Sequence, residues 1–132
     1  MEELIKRKIL IVEDEVSQRK ALADKFARDG FTAIEAQDGE EGFAMAIKEQ
    51  PDLILLDIVM PKMGGLEMLK KLRGENEWGK NVSVVVLSNL NENDVNVVSS
   101  IREDKPTCYL VKSNWAINEL VEKVKTCLPK QV

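Results

Sequence analysis

Ile9-Leu10-Ile11-Val12-Glu13-Asp14-Glu15 runs through four apolar residues, three of them β-branched, and stops on three consecutive acids. A short continuous apolar run of this kind suits a parallel strand buried on both faces, and the abrupt change of character marks its end. The same pattern recurs along the chain. Leu53-Ile54-Leu55-Leu56 stops on Asp57, and Val82 to Leu87, interrupted by Ser83, stops on Ser88-Asn89. Cys108-Tyr109-Leu110-Val111 stops on Lys112-Ser113. Phe31 to Ala36 mixes polar and apolar residues, as an edge strand does.

Helical patterns fill the intervals. Val16 to Asp29 carries Leu22 and Phe26 four apart and ends at Gly30, which suits a residue just past a helix end. Gly39 to Gln50 sets Phe43, Ala46 and Ile47 on one face and stops before Pro51. Gly65 to Arg73 sets Leu66, Leu69 and Leu72 in a row ahead of Gly74, and Glu92 to Glu103 does the same with Val95, Val98 and Ile101. Ala116 to Leu128 has the clearest stripe, Ile117, Leu120, Val121, Val124 and Leu128. Strand and helix alternate five times, which predicts an α/β doubly wound fold: a five-stranded parallel sheet with helices on both faces and right-handed crossovers.

Composition narrows the function. The 132 residues suit one domain, and 44% apolar content excludes disorder as the main state. Nineteen basic against 23 acidic residues leave a net charge of −4, so no general attraction to nucleic acid or anionic lipid is expected. Histidine is absent, which excludes Ser/His and Cys/His nucleophiles and any His-ligated metal. Cys108 and Cys127 lack CxxC spacing and are expected to be small core thiols of a reducing, cytoplasmic compartment rather than a disulfide or zinc site. The longest apolar run, Phe43 to Ile47, is far too short to span a membrane, and the N-terminus has no signal-peptide pattern.

Open α/β sheets bind ligands outside the carboxyl ends of their strands. There the chain delivers Glu13 and Asp14, Asp57, Ser88 and Lys112 from four strands far apart in sequence. Three crowded carboxylates repel, and a hard divalent cation such as Mg²⁺ relieves that repulsion with oxygen ligands. Lys112 offers a point positive charge and Ser88 a hydroxyl donor to a phosphoryl group. A carboxylate can itself be the nucleophile and form an aspartyl phosphate. Taken singly, each residue has an ordinary reading: an N-cap, an acidic turn, a turn serine, a surface lysine. Their arrival at one edge favours the joint reading.

Four segments in order, Ile9 to Glu15, Asp57-Ile58-Val59-Met60-Pro61-Lys62-Met63-Gly64-Gly65, Leu87-Ser88 and Tyr109 to Lys112, resemble the receiver domain of bacterial two-component response regulators. The resemblance covers about Lys8 to Leu128. It implies the flavodoxin-like strand order 2-1-3-4-5 and a receiver domain with its core at about 8–128. Residues 1–132 are expected to be that single domain with no output domain, acting through a partner protein or as one domain of a longer protein. It implies that Asp57 accepts a phosphoryl group from a phosphohistidine of a sensor histidine kinase or phosphotransfer protein. Mg²⁺ is then held by Asp14, Asp57 and the Val59 carbonyl, with Glu13 acting through water. Lys112 and Ser88 bind the phosphoryl group, and Ser88 and Tyr109 act as the switch. The face made by the predicted fourth helix, fifth strand and last helix then changes its preference for a downstream protein partner; no nucleic acid or membrane is involved.

The sequence departs from the family pattern at Ser113, where proline is usual, at Asn89, where a small residue is usual, and at Arg102 to Thr107, in place of a small Gly-Ala turn. These departures leave one alternative, a phosphorylation-independent adaptor that binds partners constitutively. An aspartate-nucleophile phosphatase is disfavoured, because that chemistry wants a second acid where Val59 stands.

Overall fold

The computed structural model describes residues 7–58, 64–88, 106–112 and 115–128. In chain order the elements are β1 (Lys8–Val12), α1 (Val16–Arg28), β2 (Thr32–Ala36), α2 (Gly39–Glu49), β3 (Leu53–Asp57), α3 (Gly65–Glu75), α4 (Glu77–Asn81), β4 (Ser83–Ser88), β5 (Cys108–Val111) and α5 (Ile117–Lys125). The helix predicted over Glu92 to Glu103 lies outside the described residues. All five strands pair in parallel in the order β2-β1-β3-β4-β5.

The apolar runs are two-faced, as continuous hydrophobic strands require. Ile9, Ile11, Leu53, Leu55, Val85, Leu87 and Leu110 turn to one side and meet Leu22 and Phe26 of α1 and Leu120, Val121 and Val124 of α5. Leu10, Val12, Ile54, Leu56, Val84 and Val86 turn to the other and meet Ala46 of α2 and Met68, Leu69 and Leu72 of α3. Each such side chain contributes about 1.5–3 kcal/mol on burial, set against the entropy of ordering it. A register slip of one residue would exchange the two cores, so the alternation pins the strand ends.

The helix ends follow local chemistry. Glu15 is the N-cap of α1, and its carboxylate accepts from the Ser17 and Gln18 backbone N–H groups. The helix is followed by Gly30 at φ +97°, a conformation glycine adopts without steric cost. Asp38, buried, caps α2 by accepting from Glu41 N at 2.8 Å. The five-residue helix α4 was not predicted. Asn76 caps it, accepting from Gly79 N at 2.7 Å, and Arg73 Nη1 donates to the Gly79 and Val82 carbonyls.

The two cysteines depart from the sequence expectation. Cys108 and Cys127 are not separate thiols but are joined as a disulfide. Over their separation of 19 positions the chain runs along β5 and back along α5, so the first residue of the strand meets the segment just past the helix. Both cysteines also pack on the α1/α5 core, as expected of small apolar residues.

Candidate functional site at the carboxyl edge of the sheet

Register determines which strand ends meet. Val12 pairs with Leu56, Asp57 with Leu87, and Ser88 with Val111. The ladder continues one step past β1, because Glu13 N donates to the Ala36 carbonyl at 3.0 Å. Glu13 and Asp57 therefore leave adjacent strands side by side. Carboxylate oxygens of Glu13, Asp14 and Asp57 all lie within 4.8 Å of one another. Glu13 and Asp57 are buried, while Asp14 is exposed and gives the cluster its open side. Because Glu15 makes the helix cap, the other two acids are left to the cluster.

Lys112, one residue beyond β5, reaches the same cluster. Its Nζ donates to Glu13 Oε1 and Oε2, both at 3.1 Å, to Asp57 Oδ2 at 3.2 Å and to Gln18 Oε1 at 3.1 Å. Burial alone pulls the lysine pKa down, but the Asp57 and Glu13 carboxylates outweigh it, and the net shift is upward. The ammonium thus stays charged. Glu13 shifts the other way from an ordinary acid. Burial, and next the neighbouring Asp57, push its pKa up to about 8 against the partial opposition of Lys112.

The site has a backbone frame. Arg19 Nη1 donates to the Glu13 carbonyl at 2.9 Å while its Nε donates to Glu35 Oε1 at 3.1 Å, so one guanidinium ties β2 to the end of β1. Behind Asp57, Gly65 N donates to the Ile58 carbonyl at 2.9 Å. A Cβ on Gly65 would collide with the Asp57 carbonyl oxygen, so glycine alone lets α3 start this close to the strand end.

The donor set fits a hard divalent cation. It offers oxygen ligands from acids converging within one ion's reach, and it contains a carboxyl whose pKa burial, and next Asp57, push up, a shift a cation would oppose. With all three acids ionised and Lys112 charged, the cluster carries two surplus negative charges, which one divalent ion cancels.

Of the residues expected at the site, Glu13, Asp14, Asp57 and Lys112 converge. Ser88 closes β4 next to Asp57's strand. Tyr109 lies in β5, half-buried, and packs on the α2/α3 core. Val59, Asn89 and Ser113 lie outside the described residues. Gln18, Arg19 and the close approach at Gly65 were not anticipated. Gln18 and Arg19 look like ordinary solvated helix positions in the sequence, and only the glycine carried a signal, as the turn into α3.

The family model for the response regulator receiver domain matches residues 9–125. Among curated proteins, sporulation initiation phosphotransferase F of Bacillus subtilis is 31% identical over 126 residues, covering 96% of this chain and 97% of that protein. The alkaline phosphatase synthesis transcriptional regulatory protein PhoP of the same organism is 46% identical over 67 residues, 51% of this chain but 28% of that protein. Among solved structures, the chemotaxis response regulator CheY4 of Vibrio cholerae superposes with a TM-score of 0.83 at 27% identity, covering 94% of this chain and 100% of that one. TrrA of Thermotoga maritima, solved in complex with Mg²⁺-BeF, superposes at 0.77 with 30% identity, covering 92% and 99%.

Proposed function

The chain belongs to the response regulator receiver domain family, and from that membership we propose that Asp57 is the phosphoacceptor of a two-component phosphorelay. The observation that carries the proposal is the convergence of Glu13, Asp14, Asp57 and the Lys112 ammonium on one strand edge. The donor is a phosphohistidine on a sensor histidine kinase or phosphotransfer protein. An Asp57 carboxylate oxygen attacks phosphorus in line, the P–N bond breaks, and the imidazole leaves.

Asp14 and Asp57, with the Val59 carbonyl, would hold Mg²⁺, and Glu13 would contribute through water. When bound, the ion supplies positive charge against the acids and against the phosphoryl oxygens. Lys112 transfers its contact from Asp57 Oδ2 to a phosphoryl oxygen, remaining charged throughout. The Ser88 hydroxyl moves toward a second phosphoryl oxygen and donates to it, and the Tyr109 rotamer follows that movement. The new group adds about −1.5 to −2 charge at the strand edge. That local event biases the surface around β5 and α5 toward a different protein partner. The constitutive-adaptor reading is disfavoured, because it leaves the buried acids and their lysine without a use.

The test uses the full chain with Mg²⁺ and acetyl phosphate, followed by intact mass. One phosphoryl addition is expected, absent in Asp57→Asn and without Mg²⁺. No addition to the wild-type chain would overturn the proposal.

A further inference from the structure

Lys112 Nζ carries three protons and stands within hydrogen-bond distance of four acceptor atoms. Three belong to the acids at the ends of β1 and β3. The fourth, Gln18 Oε1, comes from the first turn of α1 and belongs to a neutral amide. Gln18 is itself rooted, since its backbone N–H donates to Glu15 Oε2 at 3.0 Å in the helix cap. The lysine has freedom to leave. A four-carbon stem has many rotamers, and Gln18 and Lys112 line a cavity of about 170 Å³ together with Leu22, Leu87, Trp115 and Leu120.

We propose that Gln18 is a positioning residue: its amide oxygen occupies one lysine proton and holds the ammonium over Asp57, where the incoming phosphoryl group needs it. This deepens the phosphoacceptor reading and rests on it. A neutral acceptor suits the role. It keeps the lysine oriented when Asp57 Oδ2 is lost as an acceptor on phosphorylation, and it adds no further negative charge to a site that must admit a phosphoryl group. Glu13 supplies charge attraction but sits on the acid side alone; Gln18 fixes the ammonium from the helix side.

The test compares Gln18→Leu, which removes the acceptor at similar size, with Gln18→Glu, which keeps one. Gln18 is exposed, so neither change disturbs the core. Two readouts are taken on the full chain: Mg²⁺-dependent phosphoryl uptake from acetyl phosphate, and the rate at which trinitrobenzenesulfonate labels Lys112. Gln18→Leu is expected to slow uptake about threefold to tenfold, the range of one ordinary net hydrogen bond at an exposed side chain. It is expected to speed labelling of Lys112, while Gln18→Glu keeps the lysine protected. In a Lys112→Met background, Gln18→Leu should change uptake no further. Unchanged uptake and labelling in Gln18→Leu, or the same loss in the Lys112→Met background, would overturn the tether while leaving the phosphoacceptor reading intact. No uptake by the wild-type chain would instead sink that reading, and the role of the tether with it.

Discussion

The ammonium nitrogen of Lys112 stands 3.2 Å from Asp57 Oδ2, across 55 positions of sequence. The two residues extend from strands that do not touch: β4 lies between β3 and β5. The long side chain spans that gap because Leu87 and Ser88 carry β4 to the same level, pairing with Asp57 and Val111. The contact is therefore a product of sheet order and register. It places one positive charge against the buried carboxylates of Glu13 and Asp57.

Removing that charge should split metal binding from phosphoryl transfer. In Lys112→Met the acids lose their competing cation, so Mg²⁺ affinity is expected to rise by about tenfold, from relieved repulsion of ~1.4 kcal/mol. Phosphoryl uptake is expected to fall, because no ammonium meets the phosphoryl oxygens. Mg²⁺ titration by calorimetry and uptake by mass separate the two effects. A variant that binds Mg²⁺ more weakly than wild type would contradict this account of the charges.

Gly65 sets the position of Asp57 from behind. Gly65→Ala drives a methyl group into the Asp57 carbonyl oxygen, and backbone has no rotamer with which to yield. The expected cost is about 1–3 kcal/mol in urea unfolding, with loss of Mg²⁺ affinity as the strand end shifts. Gly64→Ala is the control, since among the described residues its Cβ would meet nothing closer than the Ile58 carbonyl oxygen at 3.5 Å, an ordinary contact. Equal stability of the two variants would show that α3 moves away freely.

What could be read from the residues, and what could not, divides along physical lines. Burial on both faces writes itself into sequence as continuous apolar runs, so Ile9 to Val12 and Leu53 to Leu56 were legible as parallel strands. Polar residues that end such runs must sit at the sheet edge, so Glu13, Asp14, Asp57 and Lys112 were legible as a set. The helix α4 was not, because five residues make barely more than one turn and show no periodicity. The role of Gln18 was not, because a polar residue on an exposed helix face looks the same whether or not its amide touches a lysine. The Cys108–Cys127 pairing was not, because it depends on how far α5 runs back along β5.

That pairing carries its own prediction. The disulfide closes a loop containing Tyr109, Lys112 and all of α5. Cross-linking a loop of this length removes unfolded-state entropy worth about 3 kcal/mol. Dithiothreitol should therefore lower the urea midpoint of the oxidised protein, and a Cys108→Ser/Cys127→Ser variant should resemble the reduced protein and ignore reductant. Superimposable curves with and without reductant would rule out a bond that matters to stability.

Glu13 gives the site a pH dependence whose sign can be stated. Burial, then Asp57, raise its pKa from 4.5 to about 8 in the folded chain. The folded protein thus binds this proton more tightly than the unfolded chain does. The stability it contributes is fully present below about 4.5 and is lost as pH rises through about 8. Metal-free protein should accordingly have a lower urea midpoint at about pH 8.5 than at about pH 6 as far as this group is concerned, and Glu13→Gln should flatten that slope. Mg²⁺ reverses the preference, because an ion attracted to the cluster favours the carboxylate over the acid. Below about pH 8 each ion bound should release a proton from Glu13, so Mg²⁺ affinity should climb with pH and level off above that value. Calorimetry in two buffers of different ionisation enthalpy counts the proton directly. Equal proton release from wild type and Glu13→Gln would assign the titration to another group and remove the link between burial of this acid and the metal.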